Sequence, residues 1–143
     1  MQLVAFKLGN EEYAVDILCV QEIIRWTRIT RIPKAPAFCK GVINLRGTVI
    51  PVVDSYVRLN LGEQTITEAS RIIVFKLEDA TIGLTVDNVT EVLNLSLDQI
   101  EKPQSAKNNE TQFIKGIGKI GERLLIIIDL IKFLDLGIQN MKE

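Results

Sequence analysis

The chain has 143 residues with 17 basic and 18 acidic side chains, a net charge of −1, so no general attraction to polyanions or membranes follows from charge. At 47% hydrophobic and 24% charged it can build a substantial core, as one ordinary domain or two very small ones. Histidine is absent, which excludes Ser-His-Asp and Cys-His dyads, histidine general bases and the usual catalytic zinc sites; Cys19 and Cys39 are too few for a structural zinc centre and read as reduced, buried thiols.

The N-terminus enters alternating sequence directly, with no basic n-region or cleavage site, and the aliphatic run Leu124 to Ile128 is far short of the roughly 20 residues that span a bilayer. A cytoplasmic protein without membrane insertion is expected. In chain order, Val4, Phe6 and Leu8 point one way, Gly9-Asn10 signals a turn, and Tyr13 and Val15 alternate with polar neighbours. Further strands are predicted at Gln21–Thr27, Gly41–Arg46, Val49–Val53, Ile72–Leu77, Ile82–Val86, Val89–Ser96, Gly116–Ile120 and Leu124–Ile128. Half-buried antiparallel strands at this spacing mean an all-β barrel or sandwich. Helix is scarce: Asp129 is a candidate N-cap for Leu130–Leu136 with Gly137 as its stop, and a weaker copy follows Asp54.

That copy belongs to a larger repeat. Leu3–Ile24 lies on Ile72–Leu93 without a gap at an offset of 69, matching Val20 to Val89 and Glu22 to Glu91. Gly41–Gly62 lies on Gly116–Gly137 at an offset of 75, matching Asp54 to Asp129. Two blocks in the same order predict a duplication and two similar small barrels, approximately residues 1–69 and 70–143, sharing apolar surface within a single domain. A groove between them is the natural binding site.

Departures from the repeat carry the functional signal. Arg46 aligns with Gly121, and no acid separates Glu22 from Asp54 while Arg25, Arg28, Arg31, Lys34, Lys40 and Arg46 fall between them. This interval is either a solvated edge or a docking edge for an acidic partner with Trp26 and Phe38 as anchors; six spread cations on an acidic protein make a poor nucleic-acid groove. Asp54 and Asp129 are explained as caps, Gly116-Ile117-Gly118 lacks phosphate-loop spacing, and Ser55, Ser70, Ser96 and Ser105 have no activating histidine. A binding protein without catalytic residues, metal or cofactor is expected.

The run Leu8-Gly9-Asn10-Glu11-Glu12-Tyr13-Ala14-Val15-Asp16-Ile17-Leu18, with Gly41-Val42-Ile43-Asn44-Leu45-Arg46-Gly47, Pro51-Val52-Val53-Asp54 and Gly83-Leu84-Thr85-Val86-Asp87, closely resembles the CheW-like family of bacterial chemotaxis coupling proteins. The resemblance covers nearly the whole chain. It implies two pseudo-repeated SH3-like five-stranded β-barrels packed on a shared core, and a non-enzymatic adaptor that tethers the histidine kinase CheA, through its regulatory domain, to the cytoplasmic signalling tips of chemoreceptors. It also implies recruitment to membrane-associated receptor arrays. The same domain occurs within CheA and CheV; from the length of the chain a coupling protein without a kinase or receiver domain is expected. Ser55 stands where the family often has Leu, and Cys19 where a charged residue is common. Carried over by resemblance, Val20, Glu22, Arg46, Gly83, Val89 and Val92 form the receptor-binding set, and Ile29, Lys40, Gly41 and Val49 the kinase-binding set. An adaptor of another two-component pathway, or a small-ligand-binding barrel, is the alternative.

Glu22 and Arg46 are further expected to form an ion pair. Arg46 follows apolar Val42–Leu45 and needs a fixed acceptor, and Glu22 is the last acid before the basic interval. Because Glu91 keeps the acid while Gly121 lacks the base, the pair reads as functional and not as a requirement of barrel stability.

Overall fold

The computed structural model describes residues 1–102 and 112–134. Ser105 and the proposed Gly137 helix stop lie outside the described residues. Among the described residues eleven strands, β1 (Gln2–Leu8), β2 (Glu11–Asp16), β3 (Val20–Arg25), β4 (Cys39–Leu45), β5 (Thr48–Val53), β6 (Arg71–Leu77), β7 (Ala80–Val86), β8 (Asn88–Asn94), β9 (Ile100–Glu101), β10 (Ile114–Ile120) and β11 (Arg123–Ile128), form two sheets. Helix α1 (Ser55–Leu59) follows β5, and residues 130–134 are helical. The sequence did not signal β9 or the two 3-10 turns, Ile17–Cys19 and Leu97–Gln99, because three-residue turns and a two-residue strand carry no period.

The six-stranded sheet has the order β8-β1-β2-β11-β10-β9 and the five-stranded sheet β3-β6-β7-β5-β4. Under the repeat these orders are the same, with β3 equivalent to β8, β6 to β1, β7 to β2, β5 to β11 and β4 to β10. An isolated bridge between Thr30 and Val42 occupies the place of β9. Each sheet therefore takes a hairpin from the opposite half: β1-β2 joins the second-half strands, and β6-β7 joins the first-half strands.

This exchange corrects two expectations. Pairing is not wholly antiparallel, because β11 runs parallel to β2 and β5 parallel to β7 where the exchanged hairpins dock. Nor is β1 half-buried. Its Val4, Phe6 and Leu8 face a central cluster shared by both sheets, with Phe75, Leu84 and Phe133, while Leu3 and Ala5 face a second cluster with Leu125 and Ile127. Their repeat counterparts Ile72 and Val74 line the matching cluster of the other sheet, with Ile50 and Val52. Each sheet thus curls around its own small core and presses its outer face on the common one.

Backbone approaches explain two of the glycines. A Cβ at Gly41 would lie 2.2 Å from the Thr30 carbonyl oxygen, and one at Gly116 would lie 2.8 Å from Ile100 and 3.1 Å from the Glu101 carbonyl. At both, the segment that bridges the sheet edge crosses directly over the strand.

The helical caps are as the sequence predicts. Asp54 accepts from the backbone of Tyr56 and Val57, and Asp129 from that of Lys132. The cysteines are free but only partly buried, because both stand at element ends, Cys19 closing a 3-10 turn beside the central core and Cys39 opening β4.

Candidate functional site

In the five-stranded sheet the hairpin β4-β5 turns through Arg46 and Gly47, both at positive φ (51° and 86°), and Asn44 Oδ1 accepts from the Gly47 amide at 2.8 Å. Arg46 is thereby pinned in a left-handed conformation that glycine adopts freely and arginine rarely does. Its guanidinium donates to both carboxylate oxygens of Glu22, at 3.2 and 2.5 Å, while its side chain stays 69% exposed. The bidentate bond holds the Glu22 carboxyl below its usual range. β3 and β5 are separated by two strands, so a flat sheet would part them by roughly 14 Å. Curling brings the pair together at one end of the small barrel.

The second half does not lack the ion pair. Although Gly121 offers no base, Arg123 two residues on donates to Glu91 at 2.5 Å, and also to both oxygens of Glu12 at 2.8 and 2.6 Å. The second half has rebuilt the ion pair from a neighbouring position. What remains peculiar to the first half is an exposed arginine held in strained backbone.

The other members of the receptor set fall into three environments. Val20 and Val89 are partly buried at the margin of the central core, opposite Phe75 and Phe6. Val92, opposite Val4, is 53% exposed. Gly83 is buried in the small core of the five-stranded sheet, where a Cβ would sit 3.0 Å from Ile72 and 3.3 Å from Val52, so it shapes the backbone and offers no side-chain surface. Ile23, the repeat counterpart of Val92, is also exposed, opposite Ile73, although no motif marks it.

The kinase set is split. Ile29 and Lys40 line one recess with Trp26, Asp54 and Val57; Lys40 bonds Asp54 at 3.4 Å and stands 5.8 Å from the Trp26 ring centre. Gly41 is buried beneath Thr30. Val49, 66% exposed, lies at the other end of the hairpin, opposite Asn44 and close to Arg46.

Arg58 was not signalled by any motif. Its Nε donates to the Phe133 carbonyl at 2.7 Å, and its guanidinium lies 4.9 to 5.8 Å from the rings of Phe133, Phe113 and Phe38. Burial lowers its pKa. Arg58 and Phe133 are repeat counterparts at the offset of 75, and Phe38 and Phe113, three residues before the aligned block, keep that offset and accept from the matching cap amides of Asp54 and Asp129, so equivalent positions of the two halves meet in this cluster. Repeat alignment of these four positions is the sequence signal that marks it.

Ser55 is buried and bonded to Thr85 at 3.0 Å, away from any surface. Among the described residues no three His, Cys, Asp or Glu side chains gather as a metal site, and no helix is long and apolar enough to cross a membrane.

Two interlocked small barrels whose distinctive side chains sit on rims and turns define a protein-binding scaffold. The CheW-like domain model matches residues 2–137. The chain is 40% identical over 134 residues to the chemotaxis protein CheW of Klebsiella aerogenes, covering 93% of this chain and 81% of that one. It is 37% identical over 135 residues to the chemotaxis protein CheW of Bacillus subtilis, covering 94% and 86%. The crystal structure of the scaffolding protein TtCheW from Thermoanaerobacter tengcongensis superimposes with a TM-score of 0.82 at 39% identity, over 90% of this chain and 84% of that one. The chain belongs to the CheW-like family, and is a chemotaxis adaptor of that family.

Proposed function

We propose that the protein is a non-enzymatic cytoplasmic coupler, recruited to receptor arrays, that binds the regulatory domain of the histidine kinase CheA and the cytoplasmic tip of chemoreceptors at the same time. Simultaneous binding raises the effective concentration of kinase at receptor, and receptor state biases the kinase only through contacts that differ between states. The observation that carries this reading is the exposed Arg46, fixed on Glu22 by two hydrogen bonds in backbone that costs stability, which is the signature of a residue held for a partner. The receptor surface comprises the Glu22–Arg46 pair and the core margin at Val20, Val89 and Val92, with Gly83 supporting it from within. The kinase surface comprises Ile29, Lys40 and Val49, with Gly41 setting the strand crossing.

The test is a three-component pull-down with receptor signalling fragment and CheA. Val92→Lys is expected to lose receptor and keep kinase, and Val49→Lys the reverse, because both side chains are exposed and their replacement leaves the fold intact. Loss of both partners in either variant, with an unchanged melting curve, removes the two-surface arrangement; retention of both removes the residue from its surface.

A further inference from the structure

Three recesses run into one another beside Trp26. The first is lined by Arg25, Arg71 and Glu68; the second shares Trp26 and adds Arg31 and Lys40; the third shares those two and ends at Lys34. Five cations thus face two carboxylates, Glu68 and Asp54, and Asp54 is already engaged by Lys40 and by the cap of α1. Arg25 and Arg71 stand directly opposite each other across β3 and β6, an arrangement that like charges disfavour. Two carbonyl oxygens, of Glu68 at 2.7 Å and Ser70 at 2.8 Å, hold the Arg71 guanidinium in place. Arg25, Arg31 and Lys34 are exposed and form no ion pair among the described residues. Among these charges the exposed Val57 and Ile66 line the same recess as Trp26.

We infer that this trough docks an extended acidic peptide segment of a partner protein, its carboxylates between Arg25 and Lys34 and an apolar side chain against Trp26. Charge complementarity selects the acidic partner, and alternation of side chains along an extended strand lets one face carry carboxylates and the other apolar groups. Nucleic acid fits less well, because Lys40 stands 5.8 Å over the Trp26 ring, where a base would have to displace the ammonium to stack, whereas an apolar side chain can pack beside the ring against Val57 and Ile66. The trough overlaps the proposed kinase surface at Ile29 and Lys40 but does not rest on it, and the test leaves both residues untouched.

Trp26 is the chain's one tryptophan, so its emission reports occupancy directly. The probes are a short synthetic peptide alternating Glu and Leu, its Lys/Leu counterpart, and a short oligothymidylate. The wild type is expected to bind the Glu/Leu peptide saturably. The Arg25→Glu, Arg31→Glu double variant is expected to bind it on the order of tenfold more weakly and to take up the Lys/Leu peptide instead. A matching thermal melt shows that the variant is folded. No saturable binding by the wild type, equal binding by the variant, or tighter binding of the oligonucleotide overturns the inference, whatever becomes of CheA binding.

Discussion

Arg46 occupies backbone that its repeat counterpart fills with glycine, and this makes the residue separable from the fold. Arg46→Gly removes the left-handed strain and the exposed ion pair together, so it is expected to melt no lower than wild type while weakening partner capture. A melting temperature well below wild type, checked by circular dichroism, would show the pair to be structural. Arg123 is the opposite case. Its partner Glu12 has a side chain only 10% exposed and accepts from Thr90 as well, at 2.5 Å, so Arg123→Ala strands a buried carboxylate and is expected to cost about 2–3 kcal/mol in urea unfolding. The Arg123 guanidinium holds the Glu12 carboxyl below its ordinary 4.5, so this stability is complete above that pH and is lost as pH falls through the depressed folded value. The gap between Arg123→Ala and wild type is therefore expected to close below pH 4.5, and a gap constant down to strongly acid pH would assign the loss to packing. At Ser55 the bonding is unequal: Thr85 Oγ1 accepts from the Ser55 amide at 3.2 Å as well as meeting its hydroxyl. Thr85→Val leaves two buried groups unpaired and is expected to cost about 2 kcal/mol, more than Ser55→Ala, by the same measurement.

At the scale of elements, α1 and the helical residues 130–134 meet where the two halves are equivalent, and the contact is asymmetric because one copy carries Arg58 and the other Phe133. Each cap aspartate also donates its amide to the phenylalanine carbonyl of its own half, Asp54 to Phe38 at 2.8 Å and Asp129 to Phe113 at 2.7 Å, so the caps and the ring cluster form one joint. Replacing Arg58 by Ala removes a hydrogen bond to a main-chain carbonyl and three ring contacts, an expected loss of about 2 kcal/mol. Arg58→Lys keeps the charge but not the planar fork, and is expected to recover only part of that in a urea titration. Full recovery by lysine would mean that charge alone, and not the Nε bond to Phe133, joins the helices.

For the whole molecule, hairpin exchange makes each sheet a product of both halves. Neither residues 1–69 nor 70–143 can complete a sheet alone, since β1-β2 lacks β11 and β8 in the one fragment, and β6-β7 lacks β5 and β3 in the other. The separate fragments are expected to lack dispersed amide spectra and to regain them on equimolar mixing, and the intact chain to unfold in one transition. Two well-resolved unfolding steps, or a folded isolated fragment, would show that the halves are independent.

Periodicity and repeat determined much of this by sequence alone. All ten of the longer strands, both helix caps, the duplication and the specific Gly41 to Gly47 run follow from sequence patterns, because alternation, turn glycines and capping aspartates act within a few residues. The Glu22–Arg46 pair was also legible, since a guanidinium after an apolar strand requires an acceptor and few acids were available. What lay beyond sequence was every relation that depends on which strands pair. Parallel docking of exchanged hairpins, burial of both faces of β1, the Arg123 substitute for the base missing at Gly121, and the gathering of Arg25, Arg71, Arg31 and Lys34 along one trough arise from contacts between residues far apart in the chain. Two copies of one pattern can pair within themselves or with each other at the same local cost. Only the shared core, which buries the outer faces of both sheets at once, decides between them.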